Sequence, residues 1–318
     1  MRRDLARRPT ANWADGRHML NLQLKLSTEK LQILHSAVEA LQSVPNVLAI
    51  VLGGSYACGF ARPDSDIDIG LYYRETSPFS VNDISCVAKK ISTVGSMPIV
   101  TGTYEWGTWV NGGAWIHSSV GKVDFLYRNL DQVRTVIEEA LRGIWRHDYD
   151  QQPPYGFRSV VYLGETSNCV PLYDPEGEIA RLKNCVVEYP GLLRNRIVQE
   201  TLWSAEFSLR FCRTFADSGD VYNAAGCMTR VAQYLIHALF ALNQRFFVSD
   251  KYASRLIEEF SLCPRGFTTR LAYVLSNLGG NPTDLRRSSE LLDALWRETV
   301  ELTDGQYMPR YNLKVSLP

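Results

Sequence analysis

A short glycine-rich segment followed by alternating aspartates has the residue types that phosphate chemistry needs. Gly53, Gly54 and Ser55 begin the segment, and Asp66 and Asp68 follow eleven and thirteen residues after the serine. Glycines let the backbone turn sharply and approach a bulky anion closely. Backbone N–H groups in such a turn, together with the serine hydroxyl, would bind phosphate oxygens. The segment therefore predicts a phosphate-binding turn close to two carboxylates.

The two aspartates are separated by one residue, so on a strand their side chains lie on the same face. Two neighbouring carboxylates repel each other unless a cation joins them. A small set of oxygen ligands suits Mg²⁺, which keeps several waters and completes its shell with substrate phosphates. A phosphate-binding turn beside a magnesium site is what phosphoryl or nucleotidyl transfer requires. Asp66 and Asp68 are therefore predicted to bind Mg²⁺ as the cofactor.

Alternating helices and strands in the first half of the chain position these residues. A buried strand is predicted over Val47–Leu52, directly before the glycines, and another over Ile67–Tyr73. A later strand over Lys122–Arg128 carries Asp124 between apolar neighbours, where an unpartnered carboxylate would be costly. The other predicted elements are strands over Pro98–Thr103 and Trp109–His117, and helices marked by Leu31, Leu34, Val38 and Leu41 and by Ile84, Val87, Ile91 and Val94.

The composition of the chain changes after residue 145. Arg146–Phe157 is rich in Pro, Gly, Asp and Gln, which is typical of a linker or long loop. From residue 174 onwards the apolar spacing is helical and predicts a bundle of about five or six helices. We predict a flexible tail over 1–20, an α/β domain with a mixed sheet flanked by helices over 21–145, a linker and loop over 146–173, and an all-α domain over 174–318.

The charge balance and the cysteines of the chain indicate the compartment and the kinds of ligand to expect. The chain has 34 basic and 34 acidic residues, which gives no indication of binding to nucleic acid or to a membrane. Its seven cysteines are scattered and form no C-x-x-C pair, which is typical of a reducing cytoplasm. No stretch approaches the ~20 apolar residues of a membrane span. These features predict a cytoplasmic protein without a zinc site.

The order of strand, Gly-Gly-Ser and Asp-x-Asp resembles the polymerase-β-type nucleotidyltransferase superfamily. The segment GGSYACGFARPDSDIDIGLYY is similar to small bacterial nucleotidyltransferases and aminoglycoside adenylyltransferases. Two later segments, YEWGTWVNGGAWI and ALNQRFFVSDK, also look like those of the antibiotic-type enzymes. The resemblance implies a catalytic N-terminal half and a helical C-terminal half, with nucleotide and acceptor bound between them.

The resemblance also implies roles for individual residues that bind the nucleotide. Gly54 and Ser55 would hold the β- and γ-phosphates of ATP, and Ser65 would add a second hydroxyl to the triphosphate. Lys251 would reach the triphosphate from the helical half, although an ordinary solvated lysine at a helix start is the alternative. These assignments apply only to the positions that match the superfamily pattern.

The resemblance assigns the metal site to carboxylates on two strands. Asp66 and Asp68 would bind Mg²⁺. A third carboxylate, supplied by Asp124, would complete the metal site or act as general base on the acceptor hydroxyl, and the sequence leaves both duties open. Glu105 is a second candidate for the base, with a surface or loop carboxylate as the simpler interpretation.

The implied reaction is Mg²⁺-dependent transfer of AMP from ATP to a hydroxyl of a small acceptor. Outside residues 1–20, which hold five basic and two acidic residues, 29 basic and 32 acidic residues remain. This slight acidic excess favours a cationic acceptor such as an aminoglycoside-type antibiotic. The alternative acceptor is a protein or tRNA in a toxin–antitoxin type system. A nucleotide-binding module without catalysis is disfavoured, since the glycines and all three carboxylates are intact.

Two further patterns admit both a functional and a structural interpretation. Arg230 and His237 resemble the R-x4–6-H pattern of helical RNase domains, but Val231 replaces the polar residue that usually follows the arginine. A histidine in an apolar helix is more often a packed core residue. The second pattern is an aromatic cluster that would line a sugar- or base-binding cleft or pack in the core. Its members are Tyr104, Trp106, Trp109 and Trp115.

Overall fold

A computed structural model of the protein describes residues 26–311, and the tail predicted over 1–20 lies outside them. The described residues divide into two compact units. The first comprises residues 26–135 and 165–187, and the second comprises residues 136–164 and 188–311. The predicted fold class is confirmed, because a mixed sheet with flanking helices is followed by a largely helical region.

The elements follow one another along the chain with short connections. In chain order they are α1 (Thr28–Leu41), β1 (Ala49–Leu52), α2 (Gly54–Cys58), β2 (Ile67–Tyr73), α3 (Val81–Ile91), β3 (Ile99–Val100), β4 (Gly113–Ser118), β5 (Gly121–Asn129), α4 (Leu130–Leu141), β6 (His147–Asp148), β7 (Phe157–Arg158), α5 (Val160–Asn168), β8 (Val170–Tyr173), α6 (Glu178–Cys185), α7 (Gly191–Ser218), α8 (Val221–Leu242), α9 (Asp250–Ile257), α10 (Phe267–Ser276) and α11 (Pro282–Glu301).

The first unit is built on a six-stranded sheet with the order β3-β4-β5-β2-β1-β8. Only β2 and β5 run parallel to each other, whereas the other neighbours are antiparallel. On β2 and β5 the apolar residues alternate with aspartates, because successive side chains on a strand point to opposite faces. Ile67, Ile69, Val123 and Phe125 are fully buried in a core that also contains apolar residues of α1 and α3. The aspartates therefore lie on the opposite face of the sheet.

Two of the predicted strands are shorter in the structure. The strand predicted over Pro98–Thr103 is reduced to two residues, and the one predicted over Trp109–His117 begins only at Gly113. The reason is the backbone at Gly112, whose φ is +152° and where an added Cβ would stand 2.5 Å from the carbonyl oxygen of Gly102. The chain makes a close crossing there and cannot continue as a regular strand.

Residues 165–187 belong to the first unit, although residues 165–173 were predicted as linker and loop and residues 174–187 as part of the all-α domain. The segment predicted as linker and loop over 146–173 contains β6, β7, α5 and β8, and β8 pairs antiparallel with β1. At the start of α6, the buried carboxylate of Glu178 forms ion pairs with Arg74 at 2.7 Å and with Arg134 at 2.8 Å. A strand pairing and an ion-pair cluster therefore fix this segment on the first unit.

The second unit is dominated by long helices. Helix α7 has 28 residues and packs against α8 and α11. At its centre the fully buried carboxylate of Glu206 accepts hydrogen bonds from the Tyr307 hydroxyl and from the backbone N–H groups of Arg310, at 3.1 Å, and Tyr311, at 2.6 Å. Over residues 26–311 no helix is long and apolar enough to cross a bilayer.

Candidate active site

The Gly-Gly-Ser turn leads from β1 directly into a short helix. The N–H of Gly53 donates a hydrogen bond to the backbone oxygen of Asp68 at 2.8 Å, which ties the turn to β2. Gly54 has a φ of +57°, a conformation that other residues adopt only at a cost, and it is the first residue of α2. The first N–H groups of a helix have no partner within the helix. Gly54 and Ser55 therefore stand where predicted, at a turn suited to oxygen ligands.

The carboxylate of Asp68 packs directly on the backbone of Gly54. A Cβ added to Gly54 would overlap Oδ2 of Asp68 and would stand 2.5 Å from its Cγ. No side chain fits between the turn and the carboxylate, so only glycine permits this approach. The predicted phosphate-binding turn and one predicted metal ligand are thus in contact.

Asp124 is the register neighbour of Asp68 on the adjacent parallel strand. Adjacent strands lie about 4.8 Å apart, and register partners point to the same face. Asp66 precedes β2 by one residue and is two positions from Asp68, so we place it on the same face on the assumption that the alternation of β2 extends to it. All three aspartates are half-buried. The structure therefore gathers the predicted carboxylates on one face beside the glycine turn.

The donor set fits a cation that shares its ligands with a substrate. Within residues 26–311, no three His, Cys, Asp or Glu side chains are close enough to hold a metal ion by themselves. Mg²⁺ is commonly bound by one or two carboxylates and completes its octahedron with water and substrate phosphates. Asp66 and Asp68 offer the carboxylates, and the backbone N–H groups of the turn at Gly54 and Ser55 are the donors that a phosphate would use. The residues fit Mg²⁺ brought in with a nucleotide.

Lys30 holds the loop that precedes Asp66, a role that the sequence analysis did not predict. Its ammonium group is buried and donates to the Tyr56 hydroxyl at 2.9 Å and to the backbone oxygens of Pro63 at 2.8 Å and Ser65 at 2.7 Å. These three bonds link α1 to α2 and to the loop that leads into β2. The signal in the sequence was a lysine on the apolar stripe of α1, together with Leu34.

The hydroxyl of Ser65 helps to form the turn that precedes Asp66. Its Oγ accepts a hydrogen bond from the N–H of Arg62 at 2.8 Å. A hydroxyl that accepts one bond still has its own proton to donate. The geometry is therefore compatible with the predicted contact from Ser65 to a phosphate, which stays a prediction.

The thiol of Cys58 lies at the end of α2, and its pKa is raised mainly by burial. Burial is the main cause that raises the pKa of the Cys58 thiol to about 11, and the charges of Glu165 and Asp68 raise it further. Glu165 is held by a bidentate ion pair with Arg128, at 2.8 Å and 2.7 Å. The thiol at the end of α2 is therefore protonated at neutral pH and is a poor nucleophile.

The four residues of the predicted aromatic cluster have different environments. Trp106 and Trp115 stack on each other with ring centroids 4.6 Å apart. Trp109 is buried, with an exposed fraction of 9%. The Tyr104 hydroxyl donates to the Glu75 carboxylate and accepts from Asn129 at 2.7 Å. The cluster therefore divides into a stacked tryptophan pair, a buried tryptophan and a hydrogen-bonded tyrosine.

Glu105 lies on an exposed turn between β3 and β4. Its Oε2 accepts a hydrogen bond from the N–H of Gly102 at 2.6 Å. This bond gives the carboxylate a role in shaping the turn. Asp124, by contrast, is on the sheet beside Asp68.

The remaining candidates belong to the second unit. Lys251 is exposed at the start of α9, where its N–H donates to the Ser249 hydroxyl at 3.2 Å. Arg230 is exposed on α8, but His237 is 3% exposed, and its ring lies 4.4 Å from that of Phe247. Burial lowers the pKa of His237 well below its ordinary value. A neutral, enclosed imidazole does not contact RNA, so the structure favours the core interpretation of His237.

Comparison with known protein families supports the identification of the first unit. Residues 33–105 match the family described as "Nucleotidyltransferase domain". The match includes the Gly-Gly-Ser turn, Asp66 and Asp68, and ends before Asp124. Residues 161–253 match a second family, described as "Domain of unknown function (DUF4037)". Residues 33–105 are therefore similar to nucleotidyltransferase domains, and nothing in these matches identifies an antibiotic-specific subfamily.

Whole-chain comparisons add little. No curated protein matches the sequence significantly. Among solved structures, the chain is similar to a nucleotidyltransferase-like protein from Exiguobacterium sibiricum 255-15, with 9% identity and a TM-score of 0.42. The similarity covers 85% of this chain and 74% of that one. A similarity at this level does not establish a common substrate.

Proposed function

We propose that this protein transfers AMP from ATP to a hydroxyl group of a small acceptor, with Mg²⁺ as cofactor. The observation that supports the proposal is the contact between the Asp68 carboxylate and the backbone of Gly54. In this contact, the turn that we predict to bind phosphate adjoins a carboxylate that we predict to bind the metal. Such a juxtaposition serves a reaction at a phosphorus atom, in which positioning and charge neutralisation carry most of the catalysis.

Binding of the triphosphate would fall to the turn and its neighbours. The N–H groups at Gly54 and Ser55 would donate to the β- and γ-phosphates, and the Ser65 hydroxyl would add one more bond. Lys251, an exposed residue at the start of α9, is kept in the proposal as a further phosphate ligand on the resemblance alone. The acidic face would be unfavourable for a triphosphate without a cation, so nucleotide and metal are expected to bind together.

The chemistry of the step is a displacement at the α-phosphorus. Asp66 and Asp68 would hold the Mg²⁺, which when bound neutralises charge on the phosphate oxygens. The oxygen of the acceptor hydroxyl forms a bond to the α-phosphorus, the bond from that phosphorus to the bridging oxygen breaks, and pyrophosphate leaves. The hydroxyl proton passes to a carboxylate. We assign that role to Asp124, because it is the register neighbour of Asp68, whereas Glu105 is bonded into a turn.

The acceptor class is the least constrained part of the proposal. An aminoglycoside-type antibiotic is the first candidate, as a hydroxylated small molecule whose positive charge suits an acidic face. Such an activity would operate in the cytoplasm, where ATP and Mg²⁺ are present. A protein or a tRNA is the alternative acceptor. The burial of His237 gives no support to an additional RNase activity.

The experiment compares the fate of two labels. The purified protein is incubated with Mg²⁺ and with ATP labelled at either the α- or the γ-phosphate, together with aminoglycosides, tRNA and lysate protein. We expect the α-label to enter one acceptor class, pyrophosphate to be released, and mass spectrometry to find the acceptor plus AMP. The double variant Asp66→Asn/Asp68→Asn and chelation of Mg²⁺ are expected to abolish the transfer. Transfer of the γ-label would instead show a kinase reaction and refute the proposal.

A further inference from the structure

The face of the sheet that carries the carboxylates continues across two more strands. Asp68 on β2 pairs in register with Asp124 on β5, which pairs with Trp115 on β4, which pairs with Ile99 on β3. Directly opposite residues on neighbouring strands point to the same face, with Cβ atoms about 4.5–5.5 Å apart. One row therefore runs from two carboxylates to two apolar side chains across four strands.

The apolar end of this row is exposed. Trp115 is 46% exposed and Ile99 is 58% exposed, and Met97, two residues before Ile99, is 74% exposed. The Trp106 ring stacks on Trp115 with an interplanar angle of 25°. Gly113 makes room for this arrangement, because an added Cβ there would stand 2.9 Å from Cζ3 of Trp106. Exposed apolar groups that adjoin one another beside polar catalytic groups mark ligand-binding surfaces.

The position of this stacked pair within the sheet indicates which substrate it contacts. The phosphate-binding turn at Gly54 follows β1, on one side of β2, whereas Asp124 and Trp115 lie on the other side. In a displacement at phosphorus the attacking oxygen and the leaving group stand roughly in line on opposite sides of the atom. With the leaving pyrophosphate at the turn, the acceptor approaches from the side of β5 and β4.

We propose that Trp106 and Trp115 form the acceptor subsite and bind a hydroxylated ring, such as a sugar or an aminocyclitol, through its C–H face. This inference rests on the proposed function for the side from which the acceptor attacks. A flat ring of C–H groups gains many dispersion contacts on an indole while its hydroxyls stay hydrated at the edge. Ammonium groups on the ring add a cation–π interaction, for which tryptophan is the best aromatic partner.

The test measures acceptor binding separately from catalysis. Kanamycin A, lincomycin and trehalose are titrated calorimetrically into the protein without nucleotide, and any that binds is then used as acceptor in AMP transfer. The variants are Trp115→Ala, Trp106→Ala and the milder Trp115→Phe, with unchanged melting temperature as the criterion for folding. Tyr222→Ala is the matched control, because Tyr222 is an 86% exposed aromatic residue on α8 in the second unit.

We expect Trp115→Ala and Trp106→Ala to weaken binding of the ring compound and to raise its KM about tenfold or more, while the KM for ATP changes less than about threefold. Trp115→Phe should give an intermediate loss, and Tyr222→Ala none. Unchanged binding and acceptor KM in the tryptophan variants would overturn the inference. A rise in the KM for ATP alone would also overturn it, because the pair would then hold the adenine.

Two outcomes separate this inference from the proposed function. If AMP is transferred only to protein or tRNA and no ring compound binds, the subsite and the small acceptor are wrong, while AMP transfer from ATP stands with the alternative acceptor. If ring compounds bind in a tryptophan-dependent manner and no AMP is transferred to any acceptor, the subsite stands and the proposed reaction is wrong. The calorimetric measurement decides between them, because it needs no turnover.

Discussion

Gly54→Ala is the substitution that tests the proposed site most directly. The variant places a methyl group where the Asp68 carboxylate now packs, overlapping its Oδ2 and standing 2.5 Å from its Cγ. Real Cβ atoms do not approach other heavy atoms within 3.0 Å, so the carboxylate must rotate or shift. The side chain of Asp68 is short and half-buried, so we expect it to rotate away from the turn while the sheet stays folded.

The expected magnitudes differ between stability and activity. Alanine at the φ of +57° costs about 1–2 kcal/mol, since its Cβ crowds the backbone in the left-handed region. A displacement of about 1 Å in a positioned group costs about 10²-fold in rate, which corresponds to ~2.7 kcal/mol of transition-state stabilisation. We therefore expect a modest loss of stability and a much larger loss of AMP transfer and of Mg²⁺-dependent ATP binding.

Gly95→Ala serves as the matched control. Gly95 also has a left-handed backbone, with a φ of +84°, but an added Cβ there meets nothing within 4 Å. It therefore reproduces the backbone strain of Gly54→Ala without moving a carboxylate. Urea unfolding and the kcat/KM of AMP transfer are measured for both variants. If Gly54→Ala loses no more activity than Gly95→Ala, the contact between the turn and Asp68 has no part in catalysis, and the reasoning fails.

The other predictions concern the proposed general base Asp124, the lysine that holds the loop before Asp66, and the buried His237. If Asp124 is the general base, Asp124→Asn should lower turnover about 10²–10⁴-fold and change the affinity for ATP much less. Single-turnover kinetics measures both quantities. Activity within a few-fold of wild type would make Glu105 the leading candidate for the base. Lys30→Met should lower the free energy of unfolding, measured in urea, by about 2–3 kcal/mol, because it removes three hydrogen bonds from a charged donor. It should also lower the rate of AMP transfer. Wild-type values of both quantities would refute the role of Lys30 in positioning the loop. Because the pKa of His237 is lowered in the folded protein, the unfolded chain binds its proton first as the pH falls. The free energy of unfolding should therefore be independent of His237 above pH ~6.5 and should decrease below that pH, by up to ~1.4 kcal/mol per pH unit. The variant His237→Gln should show a smaller dependence of the free energy of unfolding on pH. An equal dependence in the variant would contradict the burial of a neutral His237.

The local parts of the site could be predicted from the sequence. A glycine turn after a buried strand and two aspartates in alternation are properties of neighbouring residues, and the structure has β2 over the predicted range, Ile67–Tyr73. The resemblance implied that Asp124 supplies the third carboxylate, but its register with Asp68 could not come from spacing, because strand order is a non-local property. The same holds for the packing of Asp68 on Gly54, which depends on the φ of the turn.

Lys30 shows why a hydrophobic pattern misses some positioning residues. The predicted stripe on the first helix contained Leu31 and Val38, but the structure buries Lys30 and Ala37 with Leu34 instead. A pattern that counts lysine as solvent-exposed shifts the stripe by one residue. Lys30 is buried because three oxygens accept hydrogen bonds from its ammonium group. Two of these oxygens belong to residues more than thirty positions away in sequence, so the pattern of the helix alone could not predict them.

The aromatic residues in and beside the loop between β3 and β4 have different environments in the structure. Tyr104, Trp109 and Trp115 have similar local sequences, yet one is hydrogen-bonded, one is buried and one is exposed and stacked. The close backbone crossing at Gly112 decides these environments, and its partner, Gly102, is ten residues away. The sequence therefore identified the residues but not which of them face a ligand.

The pairing of β8 with β1 has a consequence for how the protein is made. The 117 residues from Gly53 to Cys169 separate the two strands, and at about 5–20 residues per second their synthesis takes roughly 6–23 s. Until then β1, whose four residues are all buried in the finished sheet, is an open edge that invites pairing with other chains. A fragment ending at residue 145 should therefore aggregate, whereas one extended through residue 187 covers the exposed side of β1 with its own β8.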